Sequence, residues 1–307
     1  MFRYIQRRLL IAVPIILGVA TIVFALMHLL PGDPAEVMLA QSGGQAEAIE
    51  QLRHQLGLDL PLHIQYWHFL TSIVKGDLGE SIWLRKPVSQ VLMEQIPATL
   101  ELASSAMLLA IVTGISLGIL AALKHNSWVD RAAMAISVAG VSMPIFWSSL
   151  LGIYLFAAKL RWLPATGQGD LKHLILPATV LGYGAAGSIA RLVRSSMLDV
   201  LRQEYITTAR SKGLLTRVII LRHALKNALI PVVTVLGLQF GALLGGTVIT
   251  ETVFSRQGLG RTMVDAIIWK DFPLVQGGVM LIAGTYILVN LLVDVSYGFL
   301  DPRIRYA

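Results

Sequence analysis

The sequence contains no cysteine. That absence excludes a disulfide framework, a thiolate metal site and a cysteine nucleophile. Charge is scarce as well: 14% of the 307 residues are charged and 55% are hydrophobic, whereas a soluble domain carries about 25% charged residues. With a mean hydropathy of +0.68, the deficit excludes an ordinary soluble domain and marks a polytopic membrane protein. Motifs that carry chemistry are also missing. There is no His-Glu-x-x-His and no Walker-type lysine loop. The seven histidines are scattered, and His63 and His68, five residues apart, do not share a helix face. They read as surface residues. Low-complexity segments and internal repeats are absent.

What the sequence does have is long apolar runs. Six of them, at approximately 9–30, 98–123, 132–158, 175–193, 228–249 and 277–299, are long enough to cross roughly 30 Å of hydrocarbon at about 1.5 Å per residue. The fourth ends close to Arg191 and Arg194. Lys and Arg set the orientation. With the N-terminus inside, the inside segments hold 15 of the 25 basic residues against four acids. The outside segments hold the other 10 against 12 acids, with Glu101 and Asp294 inside spans. Both termini are therefore expected in the cytosol. The net charge of +7 follows from topology and requires no nucleic-acid partner. The first run starts basic, is about 22 residues long and has no small-residue cleavage site near Leu30; it reads as a retained anchor.

The sequence divides into an N-terminus and first span (1–30), an extracytoplasmic helical cap (31–96), a core of five further spans (97–299) and a cytosolic tail (300–307). The cap opens with the turn Pro31-Gly32-Asp33-Pro34. A helical pattern follows with Ile49, Leu52 and Leu56 on one face. A second, over 63–74, carries Tyr66, Trp67 and Phe69, an aromatic density suited to a helix at the membrane surface.

Several local patterns invite functional readings. Gly114-Ile115-Ser116-Leu117-Gly118 matches the G-x-S-x-G elbow of hydrolases, which needs a strand–turn–helix setting and Asp and His partners. Here it lies mid-span with no acid or histidine nearby in sequence, so small residues packing on another helix is the better reading. Gly237, Gly241 and Gly245 align on one face of the fifth span, with Gly246 beside them. Ordinary helix packing and a helix lining a translocation path or subunit interface both fit. Glu101 and Asp294 are intramembrane carboxylates near an interface, where structural pairing is favoured over proton relay. Pro14 and Pro144 each remove a backbone hydrogen bond and kink or loosen their helices.

The most informative stretch is 202–231, RQEYITTARSKGLLTRVIILRHALKNALIP. Its positive charge alone reports only topology. Its apolar content does more: Tyr205, Ile206, Ala209, Leu214 and Val218 through Leu221 are too many for a bare loop. Gly213 breaks the pattern as a helix terminus does. Two short helices joined at a glycine, bearing cations and apolar groups, form a docking surface for a cytosolic partner.

Here the chain resembles a known family. Glu204 through Gly213 (EYITTARSKG) resembles the cytosolic EAA loop of ABC importer permeases in its peptide-transporter form. Counting back from Gly213 puts Thr207 where the general pattern has glutamate and Thr208 where it has the first alanine. The peptide branch reads tyrosine, then Thr-Ala-x-x-Lys-Gly, which fits Tyr205 and Thr208 to Gly213. The resemblance extends to Leu30-Pro31-Gly32-Asp33-Pro34, Leu56-Gly57-Leu58-Asp59 with Pro61-Leu62, Gly76-Asp77-Leu78-Gly79, Pro97-Ala98-Thr99-Leu100-Glu101-Leu102 and Asp301-Pro302-Arg303-Ile304-Arg305. Phe254 through Arg261 (FSRQGLGR) matches a further motif, with Gln257 where proline is usual. Together these are similar to the dipeptide/oligopeptide/nickel permease group, of the DppB type. Its glutathione-importer-like members resemble this chain in length and around Arg161-Trp162-Leu163-Pro164.

The resemblance implies an all-α protein with six transmembrane helices and the type I ABC importer permease fold, in a bacterial inner membrane. It implies a heterodimer with a second permease subunit, two cytosolic ATPases that carry ATP and Mg, and an extracytoplasmic binding protein that delivers a di- or oligopeptide or glutathione-like substrate. Alternating access would move the substrate, with no catalytic residue, metal or cofactor on this chain. Tyr205, Thr208, Ala209, Arg210, Lys212 and Gly213 would couple to the ATPase, with Ala209 and Gly213 allowing close approach. A stand-alone channel or ion-coupled transporter using Glu101 or Asp294 remains the alternative, with a hydrolase using Ser116 behind it.

Overall fold

The computed structural model describes residues 2–29, 50, 51, 53, 54 and 57–300. The expected turn at 31–34, the Ile49, Leu52 and Leu56 face, the tail after 300 and the Asp294 side chain lie outside what is described. The chain divides into two compact units, 1–97 with 258–288 and 98–257 with 289–307. Among the described residues the structure is helical, with one isolated antiparallel bridge from Glu80 to Pro87.

The first unit begins with α1 (Phe2–Leu29), which tolerates Pro14 inside it. The helix expected from the aromatic pattern forms as α2 (Leu62–Lys75) and is closed by Gly76 at φ 74°. A left-handed residue there lets its N–H reach back to the last carbonyls, and glycine adopts that conformation at little cost. The aromatics of α2 are only partly a surface feature. Tyr66 meets Phe24 of α1 edge-on at 5.3 Å and Phe69 approaches the same ring at 5.9 Å, while Trp67 stays exposed. Thr21 Oγ1 and Tyr66 OH (2.7 Å), and His28 Nε2 and Gln65 Oε1 (3.0 Å), add polar ties. The unit also holds the start of α3 (Val88–Leu123), α9 (Leu259–Ile268) and the first part of α10 (Phe272–Leu300). Val88, Val91, Leu92, Leu259, Met263 and Leu274 build its apolar core. Asp271 caps α10: one carboxylate oxygen accepts from Leu274 N–H (3.1 Å), the other from Ser81 Oγ and Trp83 N–H.

The second unit contains the rest of α3, α4 (Trp128–Ser142), α5 (Ile145–Gly152) with a π-helical continuation Ile153–Lys159, α6 (Leu171–Leu201), α7 (Glu204–Ser211) and α8 (Ile230–Val253). Between α7 and α8 runs a helical linker: Thr216–Val218, a π-helical stretch Ile219–Ala224, and Leu225–Ala228.

Among the described residues five helices are long and apolar enough to cross a membrane, and a sixth span exists if α4 and α5 count as one, bent by 111°. The sequence had suggested a kinked single span over 132–158; the structure breaks it. Pro144 has no N–H to donate and crowds the residue before it, so Met143 leaves the helix at φ −79°, ψ 126° and Pro144 starts the next one.

Helix α6 is the core of this unit, and glycines decide how closely its neighbours approach. On one side, a Cβ at Gly182 would lie 2.5 Å from the Ala106 carbonyl oxygen of α3. Gly114 and Gly118 face the carbonyls of Ala186 and Ala190 at 2.8 and 2.7 Å by the same measure. The hydrolase-like G-x-S-x-G is thus a pair of packing glycines, and Ser116 between them is exposed. On the other side of α6, a Cβ on Gly187 would lie 2.2 Å from the Ser137 carbonyl oxygen of α4, and one on Gly140 2.9 Å from the Tyr183 carbonyl oxygen. With lipid outside, close backbone contact of this kind replaces the hydrophobic driving force between helices.

Candidate functional site

Helix α7 starts after Gln203, which is extended at φ −71°, ψ 147°. Glu204 in its first turn and Arg210 in its last complement the helix dipole. Ile206 and Ala209, three apart and so on one face, are buried. They join the core of the second unit together with Ile219, Ala224 and Ala228 of the linker. Thr207, Thr208, Arg210, Ser211 and Lys212 are exposed. The Thr208 and Ser211 hydroxyls donate to carbonyls one turn back, Glu204 O and Thr207 O, both at 3.1 Å.

The helix ends where the glycine break was expected. Gly213 has φ 75°, its N–H donates to Arg210 O (2.9 Å), and Leu214 N–H donates to Ala209 O (3.3 Å). No atom lies within 4 Å of a Cβ placed on Gly213, so backbone conformation, not crowding, selects glycine here. Across 202–226 the cations Arg202, Arg210, Lys212, Arg217, Arg222 and Lys226 are all exposed, with Glu204 the single acid. Leu214, Leu215 and Leu221 add exposed apolar surface. The result is a small cationic platform with an apolar fringe on a firmly seated helix.

The other residues singled out from sequence are placed as follows. Tyr205 is half-exposed, and its hydroxyl turns back to its own chain, accepting from Asn227 Nδ2 at 2.8 Å and donating to His223 O at 3.4 Å. Ala209 is likewise turned inward. Gly237 and Gly241 are buried in α8, whereas Gly245 is exposed with open space around it. Gly246, beside that row, makes the close approach: a Cβ there would lie 2.8 Å from Leu181 of α6 and 3.2 Å from Ile145 of α5. Pro144 heads α5 at the break, next to that contact. Glu101 pairs with Arg256, which is almost fully buried. Nearby, Thr99 Oγ1 donates to the buried Glu251 at 2.7 Å.

Sequence reading missed the fork between Arg194 and Asp130. Arg194 Nε and Nη2 reach the two carboxylate oxygens at 2.6 and 2.7 Å, and Nη2 lies 3.2 Å from His125 Nδ1. The fork ties the end of α6 to the start of α4. It was signalled only by two opposite charges near the ends of adjacent apolar runs.

The chain as a whole is similar to known transport proteins. The model of the binding-protein-dependent transport system inner membrane component matches residues 114–306, and that of the same component's N-terminal region matches 1–103. The chain belongs to this family. It is 44% identical over 306 residues to the glutathione transport system permease protein GsiC of Salmonella choleraesuis (strain SC-B67), covering 100% of both chains. It is 42% identical over 334 residues to the dipeptide transport system permease protein DppB of Alkalihalophilus pseudofirmus, again covering 100% of both. In fold it matches an inward-facing MetNI methionine ABC transporter structure with TM-score 0.57 at 20% identity, over 69% of this chain and 97% of that one. An amino acid ABC transporter structure matches with TM-score 0.53 at 15% identity, over 70% and 94%. The chain is thus a membrane permease of the DppB type, with the ABC importer permease fold. The glycine-packed helices around α6 and the platform on α7 are parts of that permease.

Proposed function

We propose that this permease forms half of the pore of an ATP-driven importer in a bacterial inner membrane. A second, homologous permease subunit completes the pore, two cytosolic ATPases bind beneath it, and an extracytoplasmic binding protein delivers the substrate. The observation that carries the reading is α7: a short helix held from behind by Ile206 and Ala209, presenting Thr208, Arg210 and Lys212 outward, and ended by a left-handed Gly213. A helix seated in this way transmits a push without deforming. Its cations suit an acidic groove on an ATPase. Because Ala209 and the Tyr205 hydroxyl face inward, the outward contacts fall to Thr208, Arg210, Lys212 and the exit at Gly213.

In this scheme ATP and Mg act on the partner subunits, and this chain converts their closure into motion of its spans. Closing the ATPases carries α7 with them and opens the pore outward; hydrolysis resets it inward. In this reading the break at Pro144 and the contact of Gly246 with α5 and α6 act as joints along the route, with the Gly237 and Gly241 face of α8 lining the path or packing beside it. The names of the curated relatives favour glutathione or a di- or oligopeptide as cargo.

Purification in mild detergent tests the assembly: the reading expects two ATPases and a second permease of similar length to accompany the chain. Gly213→Trp should abolish uptake and weaken ATPase retention, and wild-type uptake by that variant contradicts the coupling role. Mass spectrometry of the ligand held by the associated binding protein identifies the cargo. A metal chelate or sugar in place of a peptide overturns the substrate assignment.

A further inference from the structure

We propose that Tyr205 and Asn227 form the joint through which displacement of α7 reaches α8, an inference that rests on the ATP-driven reading above. The Tyr205 hydroxyl accepts from Asn227 Nδ2 at 2.8 Å and donates to His223 O at 3.4 Å, and Asn227 Nδ2 also approaches His223 O at 3.3 Å. The three groups close a polar triangle between the first turn of α7 and the linker.

His223 lies in the π-helical stretch Ile219–Ala224. A π-turn accommodates one extra residue and shifts the hydrogen-bond pattern from i→i+4 to i→i+5; such turns are frequent at functional positions. The apolar seat of α7 on Ile219 and Ala224 cannot supply direction, because burial is indifferent to sliding along the contact. Hydrogen bonds depend steeply on distance and angle. The triangle therefore fixes the register of α7 on the linker, and the apolar seat holds the two together.

Downstream of Asn227 the helical hydrogen bonding carries on. Leu229 N–H donates to Leu225 O at 2.9 Å and Val233 N–H to Leu229 O at 3.0 Å, across the start of α8 at Ile230. A pull on Asn227 thus reaches α8 within about one helical turn of 3.6 residues. Without the triangle, α7 still docks but slips when pushed. Both are positioning residues: neither needs to touch substrate or nucleotide.

The test uses the complete importer in proteoliposomes and measures substrate moved per ATP hydrolysed, normalised to incorporated chain. Tyr205→Phe removes the hydroxyl and keeps the ring. Asn227→Leu removes the donor at similar volume. Each should lower uptake per ATP by roughly 2- to 12-fold, the range by which one net hydrogen bond shifts an equilibrium. The double variant should fall no further than the worse single, because both remove one triangle. A purely structural role would lower the amount of assembled protein and leave the ratio unchanged. An unchanged ratio in either single, or a double loss equal to the product of the single losses, overturns the joint. If wild-type uptake proceeds without ATP hydrolysis, the ATP-driven reading falls and the joint with it. ATP-driven wild-type uptake alongside an unaffected Tyr205→Phe overturns the joint alone.

Discussion

Replacing Gly187 with alanine should damage the permease more than its one added methyl suggests. The new Cβ would stand 2.2 Å from the Ser137 carbonyl oxygen, 3.1 Å from its carbonyl carbon and 3.2 Å from Val141 Cγ2. Carbon–oxygen contacts between close-packed helices lie at about 3.3 Å or more. The crossing of α6 and α4 must therefore open by about 1 Å. The obstructing atom is backbone, so no rotamer change relieves it. Opening a contact by 0.5–1 Å forfeits about a quarter to a half of each dispersion well on both sides. Overpacking of this kind costs about 1–3 kcal/mol, and the backbone obstruction puts Gly187→Ala near about 3 kcal/mol. Gly245 provides the control within the same unit: no atom lies within 4 Å of its Cβ position. Alanine there should be neutral or stabilising by about 0.5–1 kcal/mol, the helix preference for alanine over glycine. Reversible unfolding of the purified subunit by SDS in mixed micelles measures both. If Gly187→Ala lies within about 0.5 kcal/mol of the wild type, the range of an inconsequential surface change, the glycine-contact account of α6 is wrong.

Arg194→Met leaves the Asp130 carboxylate buried without its forked partner, and should destabilise the subunit by about 3 kcal/mol, the low end for a broken buried pair because Arg194 is partly exposed. The double change Arg194→Met with Asp130→Leu should recover most of that loss in the same titration. Gly213→Ala meets no steric obstacle but must hold φ near 75°, which costs about 1–2 kcal/mol for a residue with a Cβ. Faster amide hydrogen exchange at the end of α7, with the other helices unaffected, is the expected signature. The hydrogen bond from His173 holds the Asp170 carboxyl below its ordinary value of 3.8. A depressed carboxylate stabilises the fold above its unfolded pKa, and the contribution disappears as pH falls through the lower folded value. Asp170→Asn should therefore lower the melting temperature at pH 6, and the difference should shrink below pH 3.8 and vanish once pH has fallen through the lowered folded value.

Much of the fold was legible because lipid simplifies the code. Apolar runs at 9–30 and 228–249 became α1 and α8, since a span must satisfy its own backbone and helices do so locally. Gly213 was readable as a helix end because a left-handed C-cap is the ordinary use of an isolated glycine after a basic turn. The break at Pro144 was read too mildly. Proline marks a lost hydrogen bond, but whether the chain kinks or turns by 111° depends on what α5 packs against afterwards. Glu101 was read as an intramembrane charge in need of a partner, yet Arg256 lies 155 residues away and no local pattern joins them; Arg256 is the buried member of the pair, and Glu101 is half exposed. The same holds for Arg194 with Asp130. The π-helical stretch at 219–224 left no sequence signal: its residues, IILRHA, carry nothing that tells a π-turn from an α-turn.

The central claim is that the outward face of α7 meets an ATPase. Because the chain has no cysteine, one can be placed at Thr208 without background. Membranes carrying the assembled importer, with single cysteines introduced on the proposed ATPase partner, are treated with a short bifunctional thiol reagent. The account predicts an adduct of this chain with the ATPase from Thr208→Cys. No adduct from Thr208→Cys under any nucleotide condition, in membranes that still import, would contradict it.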